Sequence, residues 1–388
     1  MKKTSPERSR RIMISAGEVS GDTHGTYLVR ELKKLDPDIY FFGMGSEKLL
    51  AEGVDIKFDI SRRGTIGIFE ALPNVFPIYL VYLKMIELMK KEKPDLLLLV
   101  DSQGINMPLA KAAKKLGIKM VYYIAPQEWL WGTPRGVKKV AETIDLIIAI
   151  FEKEHEIYKL AGGNTSFFGH PLLDIVKPTL NKEEARKQFL GISSGPVISL
   201  CPGSRTQEIK GLFPVLLKAG QIIKEKIPEA RFLIPAASTD MIKQIFGLIG
   251  DFRPKAIVGN TYDVLFSSDL AICTSGTINL EAAILGTPNI MVYKLSALTY
   301  LLGKYVLKIG EKLPYFSMPN LLLEEKAIPE LVMSEANPEK IAEEALSILQ
   351  EKSRQDKMKL SFEKLKRSLG SPGVISRCAK AVLDFSSL

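Results

Sequence analysis

Leu96–Val100 is an unbroken apolar run that ends in Asp101, followed by Ser102-Gln103-Gly104-Ile105-Asn106. A carboxylate at the end of a buried strand can take a proton from an acceptor hydroxyl. It can equally cap a helix that starts at Asn106. A second run, Ile12–Ala16, leads into Gly17-Glu18-Val19-Ser20-Gly21-Asp22, where two glycines let a ligand approach the backbone. Carboxylates there repel a diphosphate, so the loop suits sugar hydroxyls, with Asp22 placed to cap the next helix. An ordinary strand-to-helix turn is the plainer reading. Leu270–Thr274 runs into Ser275-Gly276-Thr277 and a helical stretch, Ile278–Leu285. Thr277 is a good N-cap, and free N–H groups at a helix start attract phosphate oxygens. Glu281 follows about 6 Å up the helix axis, where a carboxylate can accept both hydroxyls of a ribose joined to a bound diphosphate. The alternative is a surface Glu that supports its own helix. Val197–Cys201 opens likewise into Pro202-Gly203-Ser204-Arg205-Thr206-Gln207. Ser204 and Gln207 have capping-box spacing, and Arg205 either offers a planar fork to phosphate or simply faces solvent beside a helix cap.

Other chemistries find no support in the sequence. There is no GxxxxGK[ST] loop, and no GxGxxG follows a strand, which argues against ATP hydrolysis and NAD chemistry. His24, His155 and His170 are scattered, without ligand spacing, so no zinc site or other metal is expected. Asp36-Pro37-Asp38 looks like the DxD of metal-dependent glycosyltransferases, but it precedes a strand and reads as a turn. No cofactor is expected; helix ends and Arg205 would stabilise a leaving diphosphate. Trp129 and Trp131, the chain's only tryptophans, follow Pro126-Gln127-Glu128 and either pack under a loop or wall an acceptor site.

The elements that must position these residues alternate in a βαβ rhythm. Ile12–Ala16, Ile39–Met44, Leu96–Asp101, Ile118–Ile124 and Ile144–Ile150 are apolar almost without alternation, as strands covered on both faces should be. Helical patterns such as Thr23–Lys34, Ile78–Lys93 and Asn106–Leu116 lie between them. The rhythm restarts with the helix Asn181–Leu190 and strands at Val197–Cys201, Ala230–Pro235, Ala256–Val258, Leu270–Thr274 and Asn289–Val292. The expected organisation is therefore a basic disordered tail (1–11), an α/β acceptor domain (12–177), a second α/β domain that binds the nucleotide sugar (178–352) and C-terminal helices (353–388). Both domains read as Rossmann-like parallel sheets, with ligands in an interdomain cleft at the carboxyl ends of their strands.

The three cysteines are too few for a disulfide framework, which fits a reducing cytosol. A net charge of +9 suits a nucleotide or an anionic membrane, and no nucleic-acid-binding pattern accompanies it. No apolar run is long enough to span a bilayer and no signal peptide opens the chain, so any membrane contact is expected to be peripheral. Ile78–Met89 is more apolar than one buried face needs, and Leu295–Ile309 interleaves lysines with apolar residues. Such segments can hold acyl chains or lie on a bilayer, although core packing is the default for each.

In this order, the motifs resemble the lipid-A-disaccharide synthases. They are AGEVSGD at Ala16–Asp22, GIFEAL at Gly67–Leu72, the Asp101–Asn106 segment, APQEWLW at Ala125–Trp131, Gly169-His170, PGSRTQEI at Pro202–Ile209, SGTINLE at Ser275–Glu281 and MPNLL at Met318–Leu322. The resemblance implies a GT-B fold and an inverting transfer. UDP-2,3-diacylglucosamine would donate its sugar to the 6-hydroxyl of 2,3-diacylglucosamine 1-phosphate (lipid X), giving a β-1,6 disaccharide and UDP. It also implies work at the inner face of the inner membrane, on the cytoplasmic side, and self-association as a possible homodimer. By motif match, Asp101 takes the place of the general base. Glu18, Ser20 and Asn320 match substrate-site positions, and Ser204, Arg205, Ser275, Gly276, Thr277 and Glu281 match UDP-binding positions.

Two departures stand out. The family often reads DxPDFN, whereas here Gln103 replaces the proline and Gly104 the second acid; Glu128 stands where a small apolar residue is usual. Competing readings are another UDP-sugar enzyme on this scaffold, such as a UDP-N-acetylglucosamine epimerase or a transferase to a different lipid, and a non-catalytic lipid-binding relative.

Overall fold

The computed structural model describes residues 9–59, 68–192, 194–203, 206–236, 238–247, 252–294 and 314–387. The chain forms two compact units, Met1–Asp174 together with Leu369–Leu388, and Ile175–Ser368.

In the first unit, seven parallel strands form one sheet: β1 (Arg11–Ala16), β2 (Tyr40–Met44), β3 (Asp55–Phe58), β4 (Leu96–Val100), β5 (Lys119–Tyr123), β6 (Leu146–Ala149) and β7 (Thr165–Phe167). Their order is β3-β2-β1-β4-β5-β6-β7. The direction of winding therefore reverses between β1 and β4, and the crevice beyond such a reversal is where open α/β sheets hold ligands. Every residue of β4 is buried, which explains its unrelieved Leu-Leu-Leu-Leu-Val sequence. The connecting helices are α1 (Val19–Leu35), α2 (Glu47–Ala51), α3 (Ile68–Glu92), α4 (Gln103–Lys115), α5 (Glu128–Trp131), α6 (Pro134–Thr143) and α7 (Glu152–Leu160).

The second unit begins as α8 (Leu172–Ile175) ends. It continues α9 (Lys182–Leu190), β8 (Val197–Cys201), α10 (Thr206–Lys226), β9 (Arg231–Ala236), α11 (Thr239–Phe246), β10 (Lys255–Val258), α12 (Thr261–Ser267), β11 (Leu270–Thr274), α13 (Thr277–Ile284) and β12 (Asn289–Tyr293). After the gap in the described residues come α14 (Met318–Leu323), β13 (Glu330–Val332), α15 (Pro338–Gln350) and α16 (Lys352–Ser368). Its parallel sheet has the order β10-β9-β8-β11-β12-β13, so winding reverses between β8 and β11. Asn181 and Glu184 form a reciprocal capping box at the start of α9.

The helices beyond residue 352 do not stay together. α16 belongs to the second unit, while α17 (Val374–Ser387) returns to the first and packs against α1. Asp174 fastens this return, its carboxylate accepting from the N–H groups of Gly373 at 2.6 Å and Ile375 at 2.9 Å. That carboxylate satisfies donors at the start of α17 that would otherwise lack partners.

Most of the expected helices and strands shift by a few residues. The largest shift is in α3, which starts ten residues before Ile78, at Ile68. α1 starts at Val19, four residues before Thr23, with Glu18 at the N-cap. Asp22 therefore does not cap it; its carboxylate instead accepts from the N–H and Oγ of Ser46, which precedes α2. Gly21 makes the early start possible. A Cβ there would stand 3.0 Å from the Val100 carbonyl, so only glycine lets the first turn of α1 lie against the end of β4. The expected tail falls largely on residues 1–8, and the lysine-bearing segment Leu295–Ile309 wholly on 295–313; both stretches lie outside the described residues, as does Gly67.

Candidate active site

β4 ends at Val100, and the chain turns through Asp101 and Ser102 in the left-handed region, with φ of 51° and 50°. Such conformations cost about 1–3 kcal/mol each and persist only where the surroundings over-determine them. Here they do. The Asp101 N–H donates to the Tyr123 carbonyl at 3.1 Å. Its own carbonyl accepts from Tyr122 Oη and from Asn106 Nδ2, each at 2.7 Å. Asn106 is wholly buried. Its amide also lies within reach of the Val100 and Ser15 carbonyls, at 3.1 and 3.2 Å, and its Oδ1 accepts from Ser15 Oγ at 2.5 Å. One buried amide thus ties the ends of β1 and β4 to the first turn of α4.

The Asp101 carboxylate is left half-exposed, and its Oδ2 accepts from Ser20 Oγ at 2.5 Å. Residues 81 positions apart therefore meet where the sheet reverses. Asp101 does not cap α4, which begins at Gln103 after Ser102; Asn106 lies inside the helix rather than at its start. Ser102 Oγ is buried and makes no hydrogen bond. Glu18, at the head of α1, follows the same strand as Ser20. Gly104 is exposed, and a Cβ built on it would meet nothing within 4 Å, so the acid missing from this position is not missing for lack of room.

Sequence reasoning passed over His24. It lies one helical turn beyond Ser20, is fully desolvated, and feels the Asp101 carboxylate. Burial pulls its pKa down to about 4 and that of His170 to about 3, so both imidazoles are neutral at physiological pH. The i, i+4 spacing from Ser20 was the available signal. Trp129 packs its ring 5.7 Å from that of Phe151, which in turn lies 5.0 Å from His170. The indole N–H is buried without a partner. Glu154, in the first turn of α7, is also desolvated, which raises its pKa to about 8 although its carboxyl accepts the Ile150 N–H at 2.8 Å.

In the second unit, Ser275-Gly276-Thr277 follows β11 at the reversal between β8 and β11. The N-cap of α13 is Gly276 rather than Thr277, which is the first helical residue. Gly276 has φ of 142°, a conformation that excludes a side chain, and it gives the helix start no side-chain cap. Asn279 Nδ2 donates to the Thr274 carbonyl at 2.7 Å and holds the helix against its strand. Glu281 is partly buried one turn on, where desolvation raises its pKa to about 7. Ser204 and Arg205 lie outside the described residues.

Asn320 is wholly buried in α14, and its amide is already engaged. Oδ1 accepts from the Ile328 N–H at 2.8 Å, and Nδ2 donates to the Ile328 carbonyl at 2.9 Å and to Glu330 at 2.8 Å. Both of its donors are used within the fold. Among the described residues no group of three or more His, Cys, Asp or Glu could hold a metal, and no helix is long and apolar enough to cross a membrane. Asp36-Pro37-Asp38 forms a turn before β2, at the opposite end of the sheet from Asp101.

The family model described as lipid-A-disaccharide synthetase matches residues 12–382. A lipid-A-disaccharide synthase of Geobacter metallireducens is 37% identical over 378 residues, 97% of each chain. Among solved structures, a UDP-GlcNAc 2-epimerase from Neisseria meningitidis bound to UDP-GlcNAc has a TM-score of 0.64 at 14% identity, covering 96% of this chain and 99% of that one. The calicheamicin glycosyltransferase CalG4 has a TM-score of 0.57 at 14% identity, covering 97% and 98%. These two likenesses place the fold as GT-B.

Proposed function

The chain belongs to the lipid-A-disaccharide synthase family, glycosyltransferases of lipid A biosynthesis, and on that premise we propose that Asp101 is the general base of a sugar transfer that needs no divalent metal. The observation that carries this is the half-exposed Asp101 carboxylate, held by Ser20 and by a strained, over-determined turn at the reversal of the first sheet. The acceptor is 2,3-diacylglucosamine 1-phosphate and the donor UDP-2,3-diacylglucosamine. The acceptor's 6-hydroxyl oxygen attacks the anomeric carbon as the bond to UDP breaks. Its proton passes to Asp101, and UDP leaves with the electron pair. Glu18 and Ser20 serve the acceptor side. Ser204, Arg205, Ser275, Gly276 and Thr277 serve the diphosphate, supported by the start of α13, to which its N-cap glycine gives no side-chain cap. Glu281 accepts the ribose hydroxyls. Asn320 serves the substrate through the loop that it holds together.

Purified protein given both acylated substrates in detergent, with chelator in place of divalent metal, is expected to yield a disaccharide monophosphate and UDP, followed by mass. Absence of disaccharide across several acyl lengths would refute the reading.

Glu281 gives a pH dependence. With its pKa near 7, the carboxylate that accepts two hydroxyls is present above that pH and is protonated below it. UDP affinity is expected to fall several-fold between about pH 8 and pH 6. The terminal phosphate of UDP also titrates near pH 6, so Glu281→Gln supplies the baseline. Its titration curve should be weaker at pH 8 and flatter; parallel curves for the two proteins would remove Glu281 from the ribose site.

The membrane side of this reading rests on α3. Met85 and Met89 are buried against the core, while Tyr79, Leu80 and Leu83 are 53%, 42% and 40% exposed. This apolar face suits peripheral contact with the inner, cytoplasmic face of the inner membrane, where both substrates are anchored by their acyl chains. Self-association into a homodimer rests on the family resemblance alone.

A further inference from the structure

Gln103 and Glu128, two of the positions that depart from the family pattern, are in contact. Gln103 Nε2 donates to Glu128 Oε1 across 25 residues of sequence. Gln103 is the first residue of α4, directly after the left-handed pair Asp101 and Ser102. Glu128 opens α5, in the loop that carries Trp129. Its other oxygen, Oε2, accepts from the N–H of Thr133, the residue that caps α6. The loop is shaped around this carboxylate, since a Cβ built at Gly132 or at Gly136 would overlap it.

From this geometry we infer that Gln103 and Glu128 form a brace that positions Asp101 for catalysis. The inference rests on the reading of Asp101 as the base. On the strand side, Asp101 is fixed by Tyr122 and Tyr123 of β5, and the buried Asn106 of α4 holds its carbonyl from below the helix turn. Toward the solvent, the first turn of α4 has Gly104, which makes no side-chain contact, and the exposed Gln103. The bond to Glu128 is the tie on that side. Without it, the turn keeps its buried anchors but loses the restraint on its solvent side, and the carboxylate can shift by a fraction of an ångström. Glu128 and Gln103 touch no reacting atom in this scheme; they are positioning residues that act through the Asp101 turn.

Gln103→Ala and Glu128→Ala should each lower kcat about tenfold, since sub-ångström misplacement of a catalytic group is costly. UDP affinity, acceptor KM and melting temperature should stay near those of the unaltered protein. The double variant should be no slower than either single one, because the two side chains act as one unit. Glu128→Gln, which keeps an oxygen to face Gln103, should recover most of the rate lost in Glu128→Ala. Gly136→Ala, whose Cβ would have the atoms of the Glu128 carboxyl as its nearest neighbours, should reproduce the loss alone and add nothing to Glu128→Ala. Rates within twofold of the unaltered enzyme, or losses that multiply in the double variant, would overturn the brace. So would a raised acceptor KM confined to Glu128 variants, which would make Glu128 an acceptor contact. Asp101→Asn is measured alongside: if it keeps its turnover the base assignment has failed, whereas if it is dead while Gln103→Ala is normal only the brace has failed.

Discussion

Asp101→Asn is expected to lower kcat by about a thousandfold, within the range of a lost general base, while UDP affinity and folding stay close to normal. The substitution is chosen to remove basicity and little else. Asn, like Asp, tolerates the left-handed backbone better than most residues, so φ of 51° can persist. Its amide oxygen can still accept from Ser20 Oγ, which lies 2.5 Å from the present carboxylate. The anchors of the turn are all to backbone atoms of Asp101 and do not involve its side chain. What disappears is the ability to take the proton of the acceptor hydroxyl. An asparagine enzyme that turns over within tenfold of the original would place the base elsewhere. Lost UDP binding would show instead that the substitution had disturbed more than proton transfer. His24 would then be the next group to test, because it is a buried imidazole that feels the Asp101 carboxylate.

Much of this arrangement could be read from sequence because its central strands have no alternative. Leu96–Val100 and Leu270–Thr274 are buried along their whole length, and continuous apolar runs of that size between turn residues leave little choice of structure. Once two such series are recognised, the residues just beyond them fall at the carboxyl ends of parallel strands. Asp101 and Ser275–Thr277 are such residues. The strands passed over, Asp55–Phe58, Thr165–Phe167 and Glu330–Val332, are all at sheet edges and only partly buried. An edge strand has one neighbour and a wetter face, so it carries no apolar run to betray it. Helix starts were misplaced for a related reason. α1 begins among Val19, Ser20 and Gly21, residues of poor helix propensity, because Gly21 must approach Val100. The capture of α17 by the first unit was not legible at all, since its fastening to Asp174 joins residues about 200 apart.

Asn320 shows the same limit in the site itself, and the expected result of altering it separates two kinds of role. A PN motif marks the residue but not its partners, Ile328 and Glu330, which reach it only after folding. Glu330 is the acceptor for a whole loop. Its carboxylate receives the N–H groups of Phe316 and Ser317 at 3.0 and 2.8 Å, Ser317 Oγ at 2.7 Å and Asn320 Nδ2 at 2.8 Å. Asn320→Ala removes the amide from the buried side of this network. It leaves the Ile328 N–H and carbonyl without partners and takes one donor from a carboxylate. Each buried group so orphaned costs about 1–3 kcal/mol, and more when charged, so a loss of roughly 3–5 kcal/mol is expected. For a unit of this size that is a fall of about 10 °C in melting temperature. Activity at low temperature should decline less than stability does. Asn320→Asp should be no milder, since it sets an oxygen against the Ile328 carbonyl and a second carboxylate against Glu330. A direct substrate contact makes the opposite forecast: an Asn320→Ala protein that melts normally but does not turn over. Thermal unfolding beside a single turnover assay therefore decides whether Asn320 touches the substrate or holds the loop that does.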